Sequence, residues 1–352
     1  MTTPLPLDLG DRVGVVGDAH GNTRFIVEAI WSLAERGVSS VVQLGDFGFI
    51  WRRGDAAGAA LSVVNAALRI ADLDLLVVLG NHENYNVLAS LPRDEHGCIR
   101  IGRVVILPRS GRATAAGRAV GWLSGASSID RSRRRRGLEW WPAEVPSDDE
   151  AAALVDAPGT ADIVFAHEAI REPALLAQLE SGWSAVDAQY ANDAQEQFTA
   201  RIASVLTDGG VVVSGHHHRR HTATATLARP DGTEIRARSE ILAHEFQGPS
   251  VGILDIPTRQ LETWMLDEQR QHRAGAEFAQ LRKRLVVNDR ALAARLGVEL
   301  KTLRRLTTGA LPAPDSMLTT MRTWLETASS HPPHPRRGRD AHTPAERGTE
   351  VE

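Results

Sequence analysis

Short Val/Ile/Leu-rich runs recur along most of the chain: Arg12 to Val16, Ser40 to Leu44, Leu75 to Leu79, Ile163 to Phe165 and Val211 to Val213. Brief apolar runs bounded by polar turns predict buried strands. Between them, Arg24 to Arg36 places Phe25, Ile26, Ile30 and Leu33 on one face and stops at Gly37, and Ala56 to Ala71 is similarly periodic. Strands alternating with amphipathic helices predict a layered α/β core. Further strand-like runs, Val104 to Leu107, Ala119 to Leu123, Val251 to Ile256 and Leu261 to Met265, lack such helices between them. Two facing sheets are therefore expected rather than one parallel sheet. Ser127 to Pro146, with Arg131, the run Arg133 to Arg136 and Trp140-Trp141, reads as a long loop at a cleft. After Met265 the pattern is helical to Glu326, and the remainder is rich in Pro, His, Arg and Ser. This divides the chain into a domain over 1–266, a small all-α module over 270–326 and a disordered tail over 327–352.

Composition alters this picture mainly through charge. Hydrophobic content of 42% and charged content of 24% are ordinary for a soluble protein. The net charge of -4 is unevenly spread: residues 270–326 carry eleven Lys or Arg against five Asp or Glu, whereas the first 269 residues have a net of -10. Any polyanion contact is expected to fall on the basic module. The single cysteine, Cys98, precludes an internal disulfide, and no basic-then-apolar leader opens the chain, so a cytoplasmic location is expected. No apolar run approaches the roughly 20 residues of a membrane-spanning helix.

The chemistry lies where the runs end. Asp18 and His20, Asp46, Asn81, His167, and His216 and His218 each follow an apolar run, and glycines at 17, 45, 80 and 215 precede the donors. Oxygen and imidazole donors of this kind suit divalent transition metals, and residues one apart on an extended segment point to the same side. Asp46, with two carboxylate oxygens, is the candidate to bridge two cations. On the same alternation argument His217 and Glu168 point away and are structural. His221 and His244 compete with His167, which is preferred because it directly ends Ile163 to Ala166. A lone Asp-x-His or Gly-Asp is common in turns; five blocks in order are what point to a metal site.

The ordered blocks Gly17-Asp18-Ala19-His20, Gly45-Asp46, Gly80-Asn81-His82-Glu83, His167 and Gly215-His216-His217-His218 resemble the motifs of the calcineurin-like metallophosphoesterase superfamily. The resemblance implies a four-layer α-β-β-α sandwich. It also implies one metal held by Asp18, His20, Asp46 and His218, and a second by Asp46, Asn81, His167 and His216. Two divalent cations are expected, manganese first, with iron, zinc, nickel and cobalt also suited to the donors. Hydrolysis of a phosphate mono- or diester would proceed by direct attack of a metal-bridging hydroxide. His82 would act as general acid, its imidazole oriented by Glu83. Phe49-Ile50-Trp51 stands where protein Ser/Thr phosphatases carry Asp-Arg-Gly, and Phe49 where purple acid phosphatases carry a metal-binding Tyr. A phosphorylated small molecule or nucleotide is the substrate class that remains.

Two further features are candidates for contacts. Arg131, Arg133 and Arg134 are the expected substrate contacts if the loop faces the cleft, because guanidinium forks match phosphate oxygens; otherwise the run is a solvated loop. Trp140 and Trp141 read as anchors of that loop against the core, with stacking on a base as the alternative. Asp289 to Gly297 and Leu300 to Thr308 read as two short helices joined by a Gly turn, resembling the Cro and lambda-repressor type of helix-turn-helix. That resemblance would place Lys301 and Arg304 in a major groove and Arg305 on phosphate. A docking bundle is the alternative, a DNA-binding regulator or nuclease is the competing function, and the oligomeric state is open.

Overall fold

The structure, a computed structural model, describes residues 7–173, 175 and 184–330. Thirteen strands are present among them: β1 Arg12–Val16, β2 Ser40–Leu44, β3 Asp74–Val78, β4 Ile99–Ile101, β5 Val104–Ile106, β6 Ser110–Ala115, β7 Arg118–Leu123, β8 Ala161–Ala166, β9 Leu206–Ser214, β10 His221–Ala228, β11 Glu234–Ile241, β12 Val251–Asp255 and β13 Gln260–Trp264. They form two sheets, ordered β13-β12-β1-β2-β3-β5-β4 and β10-β11-β9-β8-β7-β6. In the first, β1, β2, β3 and β5 run parallel; in the second, β7, β8, β9 and β11 do, and the outer strands are antiparallel.

Alternation along the strands divides the core. Val13, Val15, Val42 and Leu44 of the first sheet meet Trp122, Ile163, Phe165, Val211 and Val213 of the second in one apolar layer between them. The outer face of the first sheet is covered by α1 (Thr23–Ala34) and α2 (Ala59–Ala71). Beyond the short α3 (Tyr85–Ala89), α4 (Asp148–Val155) and α5 (Ala185–Val205) cover the second sheet, giving the expected four layers. Each parallel set directs its strand ends to one edge, and ligands of open α/β sheets gather there.

Strands β10 and β11 departed from the sequence reading for a visible reason. β10 alternates Thr with Ala, and β11 carries Arg236, Arg238 and Glu240. The charge is tolerated because Glu240 is ion-paired with Arg220 at 2.5 Å and Arg238 at 3.1 Å, while Ala237, Ser239 and Ile241 go inward.

Four more helices follow: α6 Arg270–Arg284, α7 Asp289–Arg295, α8 Leu300–Thr308 and α9 Asp315–Ser330. The Asn288 side chain accepts the Ala291 N–H at 2.9 Å and so starts α7. Residues 327–330, read from sequence as the start of a disordered tail, continue α9; the rest of that tail lies outside the described residues. Helices α6 to α9 do not stand apart. Phe278, Leu281, Leu303, Leu306 and Met321 belong to the same apolar cluster as Phe25, Ile30, Leu61 and Leu68. Arg270 reaches Glu28 at 3.0 Å, and Arg305 donates to the Ser62 carbonyl and hydroxyl, each at 2.9 Å.

Phe278 is fully buried at the centre of this packing. Phe278→Ala should destabilise the fold by about 3 to 5 kcal/mol through the cavity it leaves, read as a lower urea midpoint.

Candidate metal centre

Loops after β1, β2 and β3 bring Asp18, His20, Asp46 and Asn81 to the same place as His167 after β8 and His216 and His218 after β9. Donor atoms of Asp18, His20, Asp46 and His218 lie within 4.8 Å of one another. His20 Nε2 is 3.4 Å from Asp46 Oδ2, and His218 Nε2 is 3.2 Å from Asp18 Oδ2. On the other side of Asp46, His167 Nε2 lies 3.3 Å from Oδ1 and 3.0 Å from Asn81 Oδ1. The His216 ring packs 4.9 Å from that of His167. One carboxylate thus turns one oxygen to each donor group.

The hydrogen bonds behind the donors fix which atoms face inward. His167 Nδ1 is 2.7 Å from the Leu44 carbonyl, which can only accept, so a ring hydrogen sits there and Nε2 is the nitrogen turned towards Asp46 and Asn81. Asn81 Nδ2 donates to Ser128 Oγ at 3.1 Å, which turns Oδ1 inward. Asp18 Oδ1 accepts the His216 N–H and Asp46 Oδ1 the His82 N–H, whereas Oδ2 of each is buried and faces only an imidazole, His218 and His20 respectively. Carboxylate, carbonyl and imidazole atoms crowded together away from water call for positive charge between them, and a cation fits that arrangement.

Electrostatics agree. Burial disfavours charge on both aspartates, yet His218 beside Asp18 and His167 beside Asp46 hold their carboxyls below the usual range. Burial likewise opposes an imidazolium at His167, but the Asp46 and Asp18 carboxylates raise it to about 10. The pocket calls for positive charge. His216 is the opposite case: burial, with His167 and His217 alongside, lowers it to about 3, leaving the neutral ring that a ligand must be.

The backbone is bent to make this convergence. Of the eight non-glycine residues with positive φ among those described, four are His20 at 43°, Asp46 at 50°, His216 at 66° and His218 at 54°. Such strain persists where the surroundings hold it. It also replaces the alternation argument, since these segments are not extended. At Gly80 a Cβ would lie 2.2 Å from Asp46 N and Oδ1, and at Gly45 2.3 Å from His167 Nδ1, so neither position has room for a side chain.

Several expectations change in three dimensions. Glu83 does not touch His82: its carboxylate accepts the Phe47 N–H at 2.7 Å and the Gly48 N–H at 3.4 Å, bracing the loop that carries Asp46. Burial and then the Asp46 charge raise its pKa to about 8. The His82 partner is Arg134, whose Nη1 is 3.0 Å from Nδ1 and whose Nε is held by Asp130 at 2.6 Å. Burial, offset by Asp46 and reinforced by Arg134, lowers the His82 pKa. Glu168 and His217 do not point away. Glu168 is buried, 3.2 Å from His217 Nε2 and 3.8 Å from His216 Nε2, and despite its burial these imidazoles hold it at about 2. Both residues line the same cavity as His216.

Of the three loop arginines only Arg134 lines that cavity. Arg131 lies 3.6 Å over the Tyr190 ring and 3.7 Å from Asp187, tying the loop to α5, and Arg133 is exposed. Trp141 is buried and packs 5.6 Å from Trp51, anchoring the loop as expected. His221 pairs with Glu172 at 2.8 Å and His244 stacks 4.2 Å from His218, so neither replaces His167. Lys301 and Arg304 are exposed on α8, whereas Arg305 is turned onto Ser62. No helix among the described residues is long and apolar enough to cross a membrane.

The model of the family described as calcineurin-like phosphoesterase matches residues 11–220. Among solved structures, the protein TT1561 of Thermus thermophilus is 14% identical, covering 72% of this chain and 99% of its own with a TM-score of 0.41. A dimetal phosphatase from Danio rerio is 15% identical, covering 73% and 97% with a TM-score of 0.41. No curated protein matches the chain.

Two outcomes are expected at this site. Gly80→Ala should lose bound metal while keeping its far-ultraviolet circular dichroism, because its Cβ would displace Asp46; metal analysis of the dialysed protein reads this. Glu144, buried beneath Ser128, has its carboxyl raised by burial from 4.5 to about 7. Between those values the folded chain binds more protons than the unfolded one, so this group's contribution to stability is lost as pH rises. The thermal midpoint of Glu144→Gln should therefore gain on the parent from pH 5 to pH 8, whereas a constant difference would refute that role.

Proposed function

Because the chain belongs to the calcineurin-like phosphoesterase family, and is thus a metal-dependent hydrolase of phosphoric esters, we propose that it cleaves small phosphate mono- or diesters by direct transfer to water at a centre of two cations. Asp18, His20, Asp46 and His218 would hold one cation, and Asp46, Asn81, His167 and His216 the other. The observation that carries this reading is Asp46, whose two oxygens face two separate groups of metal-ligating side chains. Bound there, two divalent ions supply Lewis acidity, activating water and neutralising charge on the phosphoryl oxygens. Manganese is the first candidate, on donor type alone.

The chain's own groups do the rest. Hydrolysis forms a bond from water oxygen to phosphorus and breaks the bond to the ester oxygen. Water gives up a proton to solvent, and the departing oxygen takes one from His82. An arginine has only donors, and Arg134 faces both ring nitrogens of His82, Nδ1 at 3.0 Å and Nε2 at 3.5 Å, so in the free site this contact opposes a second proton on the ring. A phosphoryl oxygen is a better acceptor for a guanidinium than an imidazole is. Substrate that draws Arg134 onto itself frees the ring to take that proton, and His82 then becomes the imidazolium that a general acid requires. Asp130 keeps Arg134 at the cavity wall meanwhile.

The test is Asp46→Asn. Loss of the shared charge removes several kcal/mol of charge stabilisation, and at about 1.4 kcal/mol per decade of rate hydrolysis of bis(p-nitrophenyl) phosphate should fall at least about a hundredfold. Metal content should drop from two ions per chain to one or fewer. Undiminished turnover would refute the reading.

A further inference from the structure

The cavity beside the donors, about 360 Å³ in volume and within the range of small-molecule sites, has lining residues that the hydrolytic step does not use. Ile129, Leu175 and Ala191 are its apolar lining, and Gln195, one turn along α5 from Ala191, lines it as well. Gln195 is 1% exposed; its Nε2 donates to the Ala169 carbonyl at 3.5 Å, and its Oε1 is buried with no partner. Reversing the amide would set oxygen against that carbonyl, so the unpaired atom is an acceptor. A buried acceptor left unpaired is costly, which makes it a specific receptor for an N–H. Arg219, immediately after His218, also lines the cavity, part-buried and with no acidic partner within ion-pair reach among the described residues. Arg134 lines it too, beside His82.

We infer that the ester is a nucleotide. Its phosphate meets the metal donors under Arg134 and Arg219, and its base lies on Ile129, Leu175 and Ala191 with an N–H directed to Gln195 Oε1. This rests on the hydrolase reading above and adds the substrate class. A sugar phosphate would set hydroxyls against an apolar wall, and a phosphorylated aromatic side chain would leave Oε1 unpaired; a nucleobase has both the apolar face and the N–H edge.

The experiment uses the full chain with Mn²⁺ and compares esters with and without a base: adenosine 5′-monophosphate against ribose 5-phosphate, and 2′,3′-cyclic AMP against bis(p-nitrophenyl) phosphate. In at least one pair, kcat/KM for the nucleotide should exceed its base-free counterpart at least about tenfold, and adenosine alone should compete with the base-free ester. Gln195→Met, of similar volume but without the acceptor, should bring that ratio towards one through KM. Should this variant not fold, the parent's ratio and the adenosine competition decide. Base-free esters turned over equally well, with adenosine inert, would overturn the nucleotide assignment and leave the hydrolase reading standing. Turnover of none of the four would overturn both.

Discussion

Asp18 and Asp46 carry their charge where water does not reach it, and the rest of the structure is arranged around that fact. Each spends one oxygen on a backbone N–H and keeps the other buried, facing only an imidazole. Imidazoles crowd in at 3.2 to 3.4 Å, and that of His167 is fixed by its bond to the Leu44 carbonyl. Such a set is costly empty and favourable around cations, so it acts as a specification for its contents.

The two sheets make the set possible. A parallel strand delivers its loop to the same edge as its neighbours, and two parallel sets stacked face to face deliver loops from both sheets to one cleft. Close approach then requires a main chain few residues tolerate: left-handed His20, Asp46, His216 and His218, and glycines where a Cβ would strike Asp46 or His167. The strain is held by buried props on every side, Glu83 on the Asp46 loop, Ser128 and Glu144 behind Asn81, and Leu44 behind His167.

Outside the donors, the cavity is walled by the loop after β7 and by α5. Trp141 and Arg131 fasten that loop to the body, and this fastening holds Arg134 over His82. Gln195 comes from α5, far from any motif. The four terminal helices pack on the opposite side of the first sheet, sharing its apolar cluster with α1 and α2, and they spend Arg305 on that packing.

Local rules made much of this legible in the sequence. The apolar runs at 12–16 and 40–44 coincide with β1 and β2, and a donor after an apolar run marks a strand end whatever the fold, so seven candidate donors and His82 could be listed without coordinates. Strands β10 and β11 were hidden because Thr, Ala, Arg and Glu form them through pairing partners that a window of neighbours does not contain. Side-chain direction beyond a strand was likewise undetermined: once φ turns left-handed, alternation no longer applies, and Glu168 and His217 came to the cavity instead of away from it. The sequence by itself determined which chemistry the chain can perform, because donor type and order are written in consecutive residues. Only the tertiary structure decided that Arg134 rather than Glu83 faces His82, and that Gln195 borders the site. Those contacts join residues 52 positions apart or on different layers, and packing, not spacing, brings them together.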